Sequence, residues 1–110
     1  MERAAKHREV REKRNQEWRD QTTAAAQKWV AANIPDEGKA LLVMGSVQKY
    51  HDTIAAARRD VEDGVIGPAV FRDEMNMAKE DFKVELTNHV GAEDYERFMS
   101  ETRQSPFVGF

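Results

Sequence analysis

The chain has 110 residues, a formal net charge of -3 and no cysteine. That length holds one domain with a modest core, and the missing cysteines exclude disulfide staples and thiolate metal sites. A mean hydropathy of -0.78 suits thin helices with much exposed surface, and no apolar run approaches the roughly 20 residues that cross a bilayer.

The first predicted element is a helix from about residue 5 to Asn33. Its opening half is almost free of apolar side chains, Val10 being the exception beyond alanine. Glu2 with Lys6 and Glu9 with Lys13 place an acid four residues before a base, which suits a solvated helix that frays at its start. Residues 2–20 carry seven Lys/Arg and five acids, whereas the rest of the chain carries ten basic and fifteen acidic residues. A basic start on an acidic body either pairs with that body or offers a separate contact surface. Arg8, Arg11 and Arg14 are the candidate contact residues of this segment. From Trp18 an apolar stripe begins: Trp18, Thr22, Ala25, Ala26, Trp29 and Val30 recur at helical steps.

Asn33-Ile34-Pro35-Asp36-Glu37 is a boundary. Proline fits a first helical position, where its missing N–H costs nothing, and the two acids face the positive end of the helix dipole. The second helix is predicted over about 35–63, with Ala40, Val43, Val47, Tyr50, Ile54, Ala57 and Val61 on one seam. Gly45-Ser46 interrupts it. An interior glycine costs about 1 kcal/mol relative to alanine, which a kink or a bulky neighbour such as Trp29 would explain. Leu41, Leu42 and Met44 accompany the seam, so the helix has more than one apolar stripe and a homodimer is expected.

Asp63-Gly64-Val65-Ile66-Gly67-Pro68 reads as a turn. Gly64 suits the left-handed residue that ends a helix, with Val65 folding back onto the last turn. The third helix is predicted over 68–90, with Phe71, Met75, Ala78, Phe82, Leu86 and Val90 on one face. The short loop makes the second and third helices antiparallel neighbours. Gly91 ends the third helix, and a short fourth helix spans 92–100 around Tyr95, Phe98 and Met99. The expected fold is therefore all-α: a long antiparallel hairpin, a packed N-terminal helix and a short C-terminal helix in one domain over 1–100. Residues 101–110 are expected as a flexible tail, in which Phe107, Val108 and Phe110 either dock on the chain's own helices or form a short motif for a partner groove.

Catalytic signatures are missing. The sequence has no glycine-rich phosphate loop, no Gly-x-Ser-x-Gly and no nucleophilic cysteine. The acids Asp60, Glu62, Asp63, Asp73, Glu74, Glu80, Asp81 and Glu85 read as a solvated face. His7, His51 and His89 lack metal-ligand spacing on one helix face and read as surface or helix-end residues. Met75 and Met77 point in different directions on a helix, so core packing fits the first and solvent the second. A non-enzymatic protein-interaction or regulatory module follows, with no cofactor and no metal. Nucleic-acid binding through the basic start is disfavoured by its interleaved acids and by a sequence pI of about 5.6.

From Ile34 onward the layout resembles bacterial periplasmic all-helical proteins of the Spy and CpxP type and the related envelope metal-sensor domains. The residues concerned are Ile34-Pro35-Asp36-Glu37, the turn from Asp63 to Pro68 leading to Phe71-Arg72, and Val90-Gly91-Ala92-Glu93-Asp94-Tyr95-Glu96-Arg97-Phe98. The family's Leu-Thr-x-x-Gln signature is absent, since Leu86-Thr87 is followed by Asn88-His89-Val90. The resemblance implies an envelope stress sensor or chaperone, located in the periplasm, dimeric and without enzymatic activity. The alternative is a cytosolic adaptor or phage-type regulator that binds a protein partner through its basic first helix or its tail. Met1 is followed directly by charged sequence with no visible signal peptide, so the sequence leaves the compartment open.

Overall fold

The structure is a computed structural model that describes the fold over residues 2–102 and side chains over residues 9–102. Four helices follow one another: α1 (Glu2–Asn33), α2 (Glu37–Glu62), α3 (Pro68–Val90) and α4 (Ala92–Thr102). The fold is all-α, and its helical hairpin is α2 with α3.

Local chemistry explains the boundaries. α2 starts after Asp36, whose carboxylate accepts a hydrogen bond from the Lys39 N–H at 3.0 Å. A side-chain cap of this kind is worth about 1 kcal/mol. It moves the helix start past Pro35, which stands outside the cap and not at the first helical position that its sequence suggests. At the other end, the Gly64 N–H reaches the Val61 carbonyl and the Val65 N–H reaches the Asp60 carbonyl. This paired closure needs a left-handed residue, and Gly64 supplies it with φ +75°. Only the Val65 backbone folds back; its side chain stays exposed. Pro68 opens α3 at its first turn, and Gly91 closes it with φ +92°.

The seam expected on α2 is the buried one. Val43, Val47, Tyr50, Ile54 and Ala57 are covered, and they meet Met75, Ala78, Phe82 and Leu86 of α3. Phe82 is the hub. It stacks on Tyr50 with centroids 4.5 Å apart and an interplanar angle of 18°, and it touches Tyr95 and Phe98 of α4 at 6.4 and 5.9 Å. Burying each such ring stabilises the fold by about 2–3 kcal/mol. α1 packs on α2 and α4, and α4 also packs on α3. Trp29 of α1 meets Phe98 edge-on at 5.3 Å, and its indole N–H donates to Glu101. Hence α4 runs on through Glu101 and the buried Thr102, two residues past its expected end. The remaining tail, with Phe107, Val108 and Phe110, lies outside the described residues.

The helix through Gly45 is continuous. A Cβ built on Gly45 would meet nothing within 4 Å. The expected close approach of Trp29 is therefore absent, because Trp29 faces Phe98 and Glu101 instead.

Candidate functional site

α1 and α2 run side by side, and the buried polar residues Thr22, His51 and Arg58 lie along their contact. His51 is fully buried, contrary to its reading as a surface histidine. Its Nε2 lies 3.3 Å from the Thr22 hydroxyl and its Nδ1 lies 3.2 Å from the Thr23 hydroxyl. The Thr22 hydroxyl also donates to the Trp18 carbonyl at 2.8 Å. With that hydrogen engaged, the Thr22 oxygen is left to accept. Nε2 is thereby the donor to Thr22. Trp18 packs edge-on against the His51 ring at 5.1 Å.

About two helical turns further along α2, Arg58 lies over the Trp18 indole at 4.7 Å and donates to the Asn15 side chain at 3.2 Å. Burial lowers the Arg58 pKa, and the carboxylate of Glu62 and then Tyr50 oppose that shift. Outside this line, Arg19 pairs with Asp52. Asn15, Trp18, Arg19, His51 and Arg58 wall a cleft of about 340 Å³, which Glu12 and Glu62 also line. The Trp18 indole N–H is buried there without a hydrogen-bond partner among the described residues.

The cleft is lined by the His51 imidazole, the Arg58 guanidinium and the carboxylates of Glu12 and Glu62. Both imidazole nitrogens face threonine hydroxyls, so the ring is committed to structure. Among the described residues, no three of His, Cys, Asp or Glu stand close enough together to hold a metal ion.

The candidate residues of the basic start do not join this cleft. Arg11 and Arg14 are exposed on α1 and are absent from its walls. The side chain of Arg8 lies outside the described residues, as do Phe107, Val108 and Phe110. His89 occupies the last turn of α3 as expected, Met75 is core and Met77 is exposed.

A second feature lies on the open side of α2. Leu41 and Leu42 are 76% and 55% exposed, whereas every other large apolar side chain of α2 is at least partly covered. Leu41 borders a groove between α1 and α2 that also runs past Thr23, Ala24, Met44 and Gly45. Exposed Val70, Met77 and Val84 stand seven residues apart on α3, but exposed acids such as Asp73, Glu80 and Asp81 separate them. Single exposed apolar residues of that kind are ordinary surface. Leu41 at a groove, with Leu42 exposed next to it in the chain, is not.

No helix among the described residues is long and apolar enough to cross a membrane. No family model matches this chain, and no curated protein or solved structure is significantly similar to it. The resemblance to the Spy and CpxP type rests on the residues quoted above.

Proposed function

We propose that the chain is a non-enzymatic protein-interaction module whose binding surface is the open side of α2. The observation that carries this reading is the exposure of Leu41 at the α1–α2 groove, with Leu42 exposed next to it in the chain. Leaving two leucines in water forgoes about 1.5–3 kcal/mol each, and a partner's apolar side chains recover that energy on docking. The buried His51 and Arg58 fix how α1 sits on α2, which shapes the groove without engaging in chemistry. The exposed Arg11 and Arg14 add positive charge at one end of α1 and favour encounter with an acidic partner.

A photo-activated cross-linker placed at position 41, in cells producing the chain, tests this reading. A discrete adduct from position 41, with none from exposed Arg72 on α3, is the expected result. Adducts from positions 11 and 14 but none from 41 would assign contact to the basic helix and remove α2 from the proposal.

A further inference from the structure

We infer that the chain's own C-terminal segment, residues 103–110, occupies the trough between α1 and α3 beyond the end of α4, with Phe107 and Phe110 as its anchors. The trough lies over the C-terminal half of α2, away from Leu41 and Leu42.

Among the described residues α1 packs on α2 and α4 but not on α3. α1 and α3 are therefore bridged only where α4 lies between them. α4 has 11 residues, whereas α2 and α3 have 26 and 23, so a bridge of about 16 Å covers a hairpin of about 35 Å. α4 comes down α3 as far as Met99 and Ser100, which share a groove with Asn76 and Lys79, and it stops at Thr102. Beyond that point α3 continues back to Pro68, α1 continues back through Trp18, and Ile54 and Ala57 of α2 form the floor between them.

With no helix above it this floor would stand open to water, yet it is closed. Ile54, Ala57 and Met75 are 0%, 3% and 0% exposed, as enclosed as Phe82 and Phe98 at α4. Trp18 on the α1 side and Phe71 on the α3 side are partly buried against the same core. Thr102 gives the direction of the chain. It is buried while Glu101 before it is exposed, so the chain leaves α4 on its inner face.

The enclosure is complete within one chain, so its source is this chain and not a partner. Residues 2–8 hold no large apolar side chain. Residues 103–110 hold three, Phe107, Val108 and Phe110, behind Pro106, which turns the preceding residue away from helical geometry. Eight extended residues span up to about 26 Å, and α3 runs only about 10 Å from Met75 back to Pro68. The segment is long enough to line the trough and apolar enough to close it.

The chain has no cysteine, so Gly109→Cys carries a single nitroxide label. Paramagnetic broadening of the amide signals is expected to be strongest at Trp18, Phe71 and Met75. Broadening confined to the last turn of α4 overturns the docking, and so does broadening centred on Leu41 and Leu42. Mixing the labelled chain with an isotopically enriched, unlabelled one separates the sources. Broadening between chains assigns the trough to a second copy's tail and overturns the placement within one chain. The full chain carrying Phe107→Ala and Phe110→Ala tests the same point without a label. Its urea midpoint should fall, and the amides from Phe71 to Met75 should exchange roughly tenfold faster, with those from Leu41 to Gly45 unchanged. A midpoint and exchange rates equal to those of the wild type overturn the docking.

Discussion

Arg58 of α2 lies over the indole of Trp18 in α1, its guanidinium carbon 4.7 Å from the ring centroid. The contact joins the two helices beside Ile54 and Ala55 of α2. A guanidinium loses less on leaving water than an ammonium does and stacks on aromatic faces, so arginine suits a half-buried helix boundary. The attraction between such a pair is about 1–2 kcal/mol when partly desolvated. A double-mutant cycle with Trp18→Leu and Arg58→Met, followed by urea unfolding, should give a coupling energy of about 1 kcal/mol. A coupling near zero would make the contact incidental to how Arg58 is held.

His51 makes a different demand. Its two nitrogens and the hydroxyls of Thr22 and Thr23 satisfy one another inside the molecule. Replacing one side of such a set leaves buried polar atoms unmatched, at about 1–3 kcal/mol, whereas replacing both sides can be nearly neutral. His51→Leu should therefore destabilise the fold by about 1–3 kcal/mol. Adding Thr23→Val to His51→Leu should recover part of that loss, because Thr22 keeps its bond to the Trp18 carbonyl. A double variant less stable than His51→Leu would show that volume, not hydrogen bonding, governs the site.

These polar residues are also where sequence and structure part. Apolar side chains repeating every three or four residues mark a face directly, and the seams of α2 and α3 obey that rule from Val43 to Ala57 and from Met75 to Leu86. The face of α2 toward α1 is mixed, with Val47, His51 and Arg58 in one register. A histidine and an arginine in that register read as solvent-facing, because such residues are seldom fully buried unless paired. The available signal was the apolar-polar stripe Trp18, Thr22, Ala26 on α1, which needs a facing stripe somewhere. Cap placement was legible only to within two residues, since Asp36 and Pro35 both suit a helix start and geometry chose the carboxylate. Gly45 stands out in the sequence for its cost, but its neighbours do not, because the pattern of one helix does not say which way Trp29 leans.

Two glycines hold conformations that other residues resist, and to different degrees. Gly64 is left-handed at φ +75°, a region other residues enter for about 1–2 kcal/mol. Gly91 combines φ +92° with ψ 163°, a region that is essentially glycine's own. Gly64→Ala should cost about 1 kcal/mol, and Gly91→Ala about 1–3 kcal/mol. The Gly91 change should also loosen α4, since the turn aims Tyr95 and Phe98 at the core. Hydrogen exchange of α4 amides checks this: faster exchange in α4 alone is expected for Gly91→Ala. Equal losses for both variants would show that the turn at Gly91 relaxes freely.

Alkaline conditions should unfold the protein through its core tyrosines. Burial, then the neighbouring Tyr95, pushes the Tyr50 hydroxyl far above its ordinary pKa of 10.0. Burial also raises Tyr95, with Glu96 and Glu80 adding to the effect. A phenol whose pKa is higher folded than unfolded binds its proton more tightly in the folded state. Its contribution is fully present below the unfolded value near 10.0 and is lost as the pH rises toward the folded value. Within that window each such group removes stability at up to about 1.4 kcal/mol per pH unit, because the unfolded chain releases a proton that the folded chain keeps. The urea midpoint should hold steady between pH 8 and 9 and fall between pH 10 and 11. Tyr50→Phe should flatten that fall, since phenylalanine keeps the stack on Phe82 and has no proton to lose. An unchanged slope in Tyr50→Phe would place the alkaline sensitivity elsewhere in the chain.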